Sequence, residues 1–278
     1  MLQVGQYNEL EVIKIMDFGI YLGIDNHEIL MPTKWVPRGT LIGDKLTVFI
    51  FRDSEDRLIA TTIEPYTVAN SFAFLDVKDT YSIGAFMDWG MDKDLLIPFS
   101  EQPSKLKPGY SYVVYVYVDE ITNRIVGSAK LNKFIEQENI ELQEGDIVDL
   151  LLYAKTDIGF NAIINNKYTG LIYQNEIYED IRVGDKVKGF IKTIREDKKI
   201  DLSLQKSGFE LVDDVKWKIL NLLKQKNGFL ALTDNSSPEE IKKQLQISKK
   251  AFKKAVGSLY RERLVKLTDT GIELIPTK

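Results

Sequence analysis

Asp17-Phe18-Gly19-Ile20-Tyr21 decides the reading of this chain, because it returns as Ser82-Ile83-Gly84-Ala85-Phe86 and again as Asp157-Ile158-Gly159-Phe160-Asn161. An apolar triplet follows each copy: Ile29-Leu30-Met31, Leu95-Leu96-Ile97 and Leu171-Ile172-Tyr173. A glycine turn then opens a strand, at Gly43-Asp44, Pro108-Gly109 and Gly184-Asp185. Each copy closes on a basic residue, small or apolar partners and a hydroxyl: Arg57 to Thr61, Arg124 to Ser128 and Lys199 to Ser203. A period of roughly 65–75 residues exceeds any solenoid unit, so the copies are whole small domains in tandem.

Within the first copy, Leu10, Val12, Ile15, Ile20 and Leu22 give short β-rich runs. They are broken at Asp17, Gly19, Gly23-Ile24-Asp25-Asn26 and Pro37-Arg38-Gly39. Thr47 to Phe51 reads as a strand and Asp53-Ser54-Glu55-Asp56 as a polar hairpin connection. Five strands per copy are expected, closed into a barrel that removes exposed edges. Tyr110 to Tyr117 is a strand of high aromatic density whose rings are expected on one face, against a neighbouring domain or stacking bases. Leu131 to Asn139 reads as a short helical linker. Units this small bury a modest share of their surface, so they are expected to dock on one another.

After Ser207-Gly208 the period becomes helical, with Val215, Ile219, Leu222 and Leu223 on one stripe and a stop at Asn227-Gly228. Phe229 to Leu232 reads as a strand. Ser237-Pro238-Glu239-Glu240 carries a cap, a first-turn proline and a capping-box glutamate. Gln246-Ile247-Ser248 turns into another helix with Phe252, Ala255, Val256, Leu259 and Tyr260 as its apolar positions, and a hairpin around Asp269-Thr270-Gly271 ends the chain. That order is a winged helix-turn-helix. The expectation is a mostly β protein: three tandem five-stranded barrels of the oligonucleotide-binding type at 1–64, 65–132 and 140–207, then a small α+β winged helix at 211–278.

The 278 residues carry a net charge of −4, unevenly placed. From Val212 onward 14 basic residues face 8 acidic ones, a net +6, and the remainder is −10. An acidic β portion argues against non-specific coating of duplex DNA. The absence of cysteine removes disulfides and thiolate chemistry and fits a reducing cytoplasm. The opening residues read as no signal peptide, and no stretch is long enough to span a bilayer.

The repeats resemble S1 domains, the single-stranded-RNA-binding variety of the oligonucleotide-binding fold. The landmarks that carry this are Asp17-Phe18-Gly19-Ile20-Tyr21, Gly170-Leu171-Ile172-Tyr173, Gly184-Asp185-Lys186-Val187 and Leu202-Ser203-Leu204. Three such repeats and a winged helix resemble, over essentially the whole chain, the conserved virulence factor B family. The resemblance implies a non-catalytic cytoplasmic RNA-binding protein in post-transcriptional regulation, with virulence factors among its targets. It also implies an RNA face on Phe18, Tyr21, Met31, Asp53 and Arg57 in the first repeat, with methionine in place of a histidine. In the second repeat the face falls on Ile83, Phe86, Ile97, Glu120 and Arg124, and in the third on Ile158, Asn161, Tyr173, Arg195 and Lys199. Bases would stack on the rings and a guanidinium would add cation–π attraction. The first repeat keeps the pattern best.

Lys249, Lys250, Lys253 and Lys254, with Arg261 and Arg263, make the recognition-helix position of the winged domain strongly basic and suited to phosphate contact with RNA or duplex nucleic acid. Lysines position a backbone but read bases poorly. The rival readings are a DNA-binding transcriptional regulator and an accessory subunit of an RNA-degradation or translation complex, with protein partners. Asp17-Phe18-Gly19 also spells a kinase metal motif, but no Gly-rich loop, His-Arg-Asp or pairing lysine accompanies it. His27 is the single histidine and reads as a surface residue, and Asp213-Asp214 as a helix start, so no metal or cofactor is expected.

Overall fold

The computed structural model describes residues 2–24, 27–178, 180–205 and 209–275; the Asp25-Asn26 turn and the Ser207-Gly208 break lie outside them. The chain forms two compact units, Met1–Glu136 and Gln137–Lys278. The first holds two five-stranded barrels and the second holds the third barrel and the winged helix.

Strands β1 (Tyr7–Met16), β2 (Gly19–Ile24), β3 (His27–Pro32), β4 (Lys45–Arg52) and β5 (Leu58–Thr61) close a barrel in the order β1-β2-β3-β5-β4. Closure comes from the parallel pairing of β3 with β5, Leu30 opposite Ile59. The second set is β6 (Ser71–Tyr81), β7 (Gly84–Asp88), β8 (Leu95–Pro98), β9 (Ser111–Val118) and β10 (Ile125–Ser128). It is a five-stranded sheet whose end strands β8 and β10 abut without a ladder. A third set, β11 (Ile147–Thr156), β12 (Gly159–Ile164), β13 (Tyr168–Tyr173), β14 (Lys186–Ile194) and β15 (Ile200–Ser203), closes again. The first strand of each carries a bulge at the same place, between Val12 and Lys14, Val77 and Asp79, and Leu152 and Ala154. Bulges of this kind bend a strand around a small barrel.

The repeated glycine has a physical cause. A Cβ on Gly19, Gly84 or Gly159 would run into the carbonyl oxygen of Met31, Ile97 or Ile172 respectively. The second strand crosses the third so closely there that only glycine fits, which is why the motif centre never varies within the chain.

The first two barrels share a core. Val48, Phe49 and Ile50 are all fully buried, so the middle of β4 has no solvent face, as in a strand covered on both sides. Val48 and Ile50 point into the first barrel, whereas Phe49 joins the core of the second, its ring edge-on to Trp89 at 5.9 Å. The segment before β6 is stitched back by the Gly5 carbonyl, which accepts from Ala69 N–H at 2.8 Å. The expected docking therefore holds for this pair.

The tyrosines of β9 do not share a face. Tyr112 leans on the core of the second barrel, and Tyr115 and Tyr117, three and five residues later, lie on the opposite side under Phe134. Tyr115 stacks on Phe134 at 4.1 Å and meets the tilted ring of Phe72 at 4.7 Å. The expected helical linker is a 3-10 turn over Leu131–Phe134 alone, and its use is to deliver that ring.

In the second unit, α1 (Phe209–Gln225), β16 (Phe229–Leu230), α2 (Pro238–Leu245), α3 (Lys249–Arg261), β17 (Val265–Thr268) and β18 (Gly271–Leu274) form the winged helix. Val215, Ile219, Leu223, Ile241, Phe252, Val256 and Leu259 fill its core. The Ser237–Glu240 capping box is present in both directions, and Ser248 caps α3 by accepting from Ala251 N–H. Asp213 lies inside α1 and pairs with Lys216, so the Asp213-Asp214 pair is not the helix start. Gln205 Nε2 donates to the Gln246 carbonyl at 3.1 Å and Lys242 sits 5.8 Å above the Tyr178 ring, so this domain meets the third barrel through the start of its helix-turn-helix.

Candidate nucleic-acid interface

Phe18 occupies the tight β1–β2 turn, held by a hydrogen bond from Thr33 N–H to its carbonyl. Its ring is 54% exposed and stands edge-on to Tyr21 at 6.3 Å. Tyr21 is half-buried on the outside of β2, with Lys14 Nζ 5.5 Å above its ring. A cation over a π-face next to a free ring is an arrangement that accepts a flat, electron-rich group and its phosphate. Lys14 was missed in the sequence; it sits opposite Tyr21 in the β1–β2 ladder because of the bulge, which a simple alternation does not show.

Met31 is not part of this face. It is fully buried in the core of the first barrel, since it pairs with the inward Ile20, whereas Tyr21 pairs with Leu30. The outer apolar residue beside Tyr21 is therefore Leu30. Ile97 is buried for the same reason, and Leu96 lies opposite Phe86. Tyr173, which pairs with Gly159, occupies the place held by Pro32 and Pro98 in the other barrels. The expected face is thus one residue out of step along the third strand of the first two repeats.

Asp53 and Arg57 do meet, but as a hairpin clamp. Asp53 Oδ2 accepts from Arg57 Nε and Nη2 at 2.9 and 2.7 Å, and Oδ1 accepts from the N–H of Glu55 and Arg57. With its side chain 16% exposed, Asp53 has little left to offer a ligand. Burial pushes its carboxyl up, but those donors outweigh it and hold the group below the ordinary carboxylate range. Arg57 remains exposed, also pairing with Glu55 at 2.9 Å.

In the second barrel Phe86 is half-buried, edge-on to Tyr81 at 5.4 Å, and Ile83 is exposed in the turn where Phe18 stands in the first. Glu120 is exposed and Arg124 pairs with Asp56 of the first barrel. In the third barrel Ile158 is exposed and Asn161 half-buried. Arg195 and Lys199 meet only through the backbone, Arg195 N–H donating to the Lys199 carbonyl at 2.9 Å. The Arg195 side chain grips Asp201 at 2.8 Å and donates to the Tyr173 hydroxyl, while Lys199 pairs with Asp197 at 2.7 Å. The Asp201 hydrogen bond, then that to Tyr173, keeps Arg195 charged beyond its ordinary range.

On α3, Lys250, Lys253 and Lys254 are exposed and Lys249 half-exposed, opposite the buried Phe252 and Val256. Of these lysines, only Lys253 has a carboxylate in reach among the described residues, Asp234 at 3.9 Å. Arg261, Arg263 and Lys266, with the exposed Tyr260, border a shallow groove of 340 Å³ between α3 and the wing. Lys266 was also missed, because it lies on the wing and not on the helix. Among the described residues no cluster of three or more His, Cys, Asp or Glu could hold a metal ion, and no helix is long and apolar enough to cross a membrane. His27 is exposed at the start of β3.

Residues 4–63 match the S1 domain model and residues 217–274 that of the CvfB-like winged helix domain. The protein YitL of Bacillus subtilis is 26% identical over 266 residues, 92% of this chain and 89% of that protein. Conserved virulence factor B of Staphylococcus saprophyticus is 27% identical over 242 residues, 84% and 80% of the two chains. A crystal structure described as a multidomain protein with nucleic acid binding domains, from Streptococcus pneumoniae, is 25% identical with a TM-score of 0.43, covering 98% of each chain. The resemblance to the conserved virulence factor B family read from the sequence holds, and the S1 and winged helix domains support a nucleic-acid-binding role.

Proposed function

We propose that this protein binds single-stranded RNA, without catalysis, through the Phe18/Tyr21 face of its S1 domain, and that the basic α3 adds phosphate contacts. The observation that carries the reading is the exposed Phe18 ring edge-on to Tyr21 with Lys14 above it. Stacking is tolerant of sequence and needs an unpaired base, because a base inside a duplex has no free face. The name of the staphylococcal relatives, conserved virulence factor B, fits a cytoplasmic regulator of gene expression after transcription. Fluorescence anisotropy of the full chain with a single-stranded RNA and a duplex DNA of equal length tests it. Tighter binding of RNA, weakened in Phe18→Ala/Tyr21→Ala, is expected; equal RNA affinity of that variant would refute it.

One observation favours a second reading. Lys250, Lys253 and Lys254 lie on the helix that enters the major groove in helix-turn-helix proteins. A duplex DNA bound more tightly than RNA would select it.

A further inference from the structure

The face of the second barrel equivalent to the Phe18/Tyr21 face is overhung by the β4–β5 hairpin of the first barrel, and a cleft of 440 Å³ remains between them. Phe51, Ile83, Phe86 and Leu96 give it an apolar floor, and Arg52 and Arg124 stand at its rim. The volume suits one small flat ligand, since pockets for such molecules run to about 300–1,000 Å³. A continuous strand, by contrast, would need the face to be open.

The charged capacity left at the rim is mostly donating, Lys93 included, and the Ser54 hydroxyl can serve either way. Both oxygens of Asp53 already accept from Arg57 and from backbone N–H groups, and Asp94 is paired with Lys78. Arg124 commits its Nε–H to Asp56, while its terminal amino groups have no hydrogen-bond partner among the described residues. Arg52 is fixed in place by donating to the carbonyls of Asn123 and Asp56. A guanidinium only donates, so the rim asks for a ligand edge with two adjacent acceptors. Guanine offers that in O6 and N7 and an unpaired cytosine in O2 and N3, whereas adenine pairs an acceptor with a donor; of the two, the larger purine covers more of the Phe86 ring.

We propose that this cleft takes a single unpaired guanine, its ring on Phe86 and its O6/N7 edge on the free amino groups of Arg124. The proposal rests on the RNA reading and deepens it: the first barrel holds a running strand, and the second selects one base turned out of it.

The full chain titrated with GMP, AMP, CMP and UMP by isothermal calorimetry tests this. GMP should bind about tenfold more tightly than AMP and UMP, the size expected of one bidentate base contact, and CMP should fall between them because its smaller ring covers less of Phe86. Ile83→Trp, which fills the cleft from an exposed position, should abolish GMP binding, and Phe86→Leu, which keeps an apolar side chain and removes the ring, should weaken it. Equal binding of the four nucleotides, or GMP binding untouched by Ile83→Trp, would overturn the proposal. So would the absence of any nucleotide binding while a single-stranded RNA still binds. Loss of both nucleotide and RNA binding in the folded native chain would sink the RNA reading together with it.

Discussion

Arg124 donates from Nε to Oδ1 of Asp56 at 2.7 Å, tying the last hairpin of the second barrel to the last hairpin of the first. Arg52 completes the link through the Asn123 carbonyl at 3.1 Å. The hydrogen bond from Arg124 holds the Asp56 carboxyl below its ordinary range, against a smaller opposing effect of desolvation. A carboxyl whose folded pKa lies below its unfolded value stabilises the fold fully above the unfolded pKa, about 4, and loses that contribution as pH falls through the folded value. The stability gap between the native chain and Asp56→Asn should therefore be greatest near neutrality and close in acid, read from urea midpoints across pH. High salt should narrow it as well, because the pair is exposed.

Removing both rings at the first barrel should weaken single-stranded RNA binding by about 1–3 kcal/mol per stacked base. Because Phe18 is largely exposed, Phe18→Ala should leave the thermal midpoint nearly unchanged. Binding isotherms and a melt on the same sample separate the two effects.

Neutralising Lys250, Lys253 and Lys254 together to glutamine should lower affinity for every RNA sequence alike. The slope of log affinity against log salt should also fall, by about 0.7 for each single-strand phosphate that the helix no longer neutralises. An unchanged slope with intact folding would place the RNA entirely on the barrels.

Phe49→Ala should destabilise the first compact unit by about 3–5 kcal/mol, the usual range for emptying a fully buried aromatic site. The effect should fall on the unfolding of both barrels at once, since the ring lies between them. Hydrogen exchange resolved by segment would show β1 to β10 losing protection together, with α1 to α3 unaffected.

How much of this could be read beforehand depended on whether a residue's role was local. The three motif glycines and the Ser237 capping box were legible because a turn or a helix end leaves a fixed short pattern. Strand parity was less so. Leu30 and Met31 are adjacent apolar residues, and only the ladder shows that Met31 pairs with the inward Ile20. The β9 tyrosines looked like one row, but the three-residue step from Tyr112 to Tyr115 sends them to opposite sides. Phe49 was illegible in principle, since an unbroken run from Val48 to Phe51 carries no alternation to reveal a second buried face. The Arg124–Asp56 tie joins residues 68 apart and follows from assembly alone.

The ring that crosses from β4 into the neighbouring core also governs how the chain can be divided. A fragment beginning near residue 65 would keep all five of its own strands yet lack the phenyl group that packs into its core, and it should be less stable and more prone to aggregate than the two-barrel piece. Despite their repeated spelling, the first two modules should be cut out or transplanted as a pair.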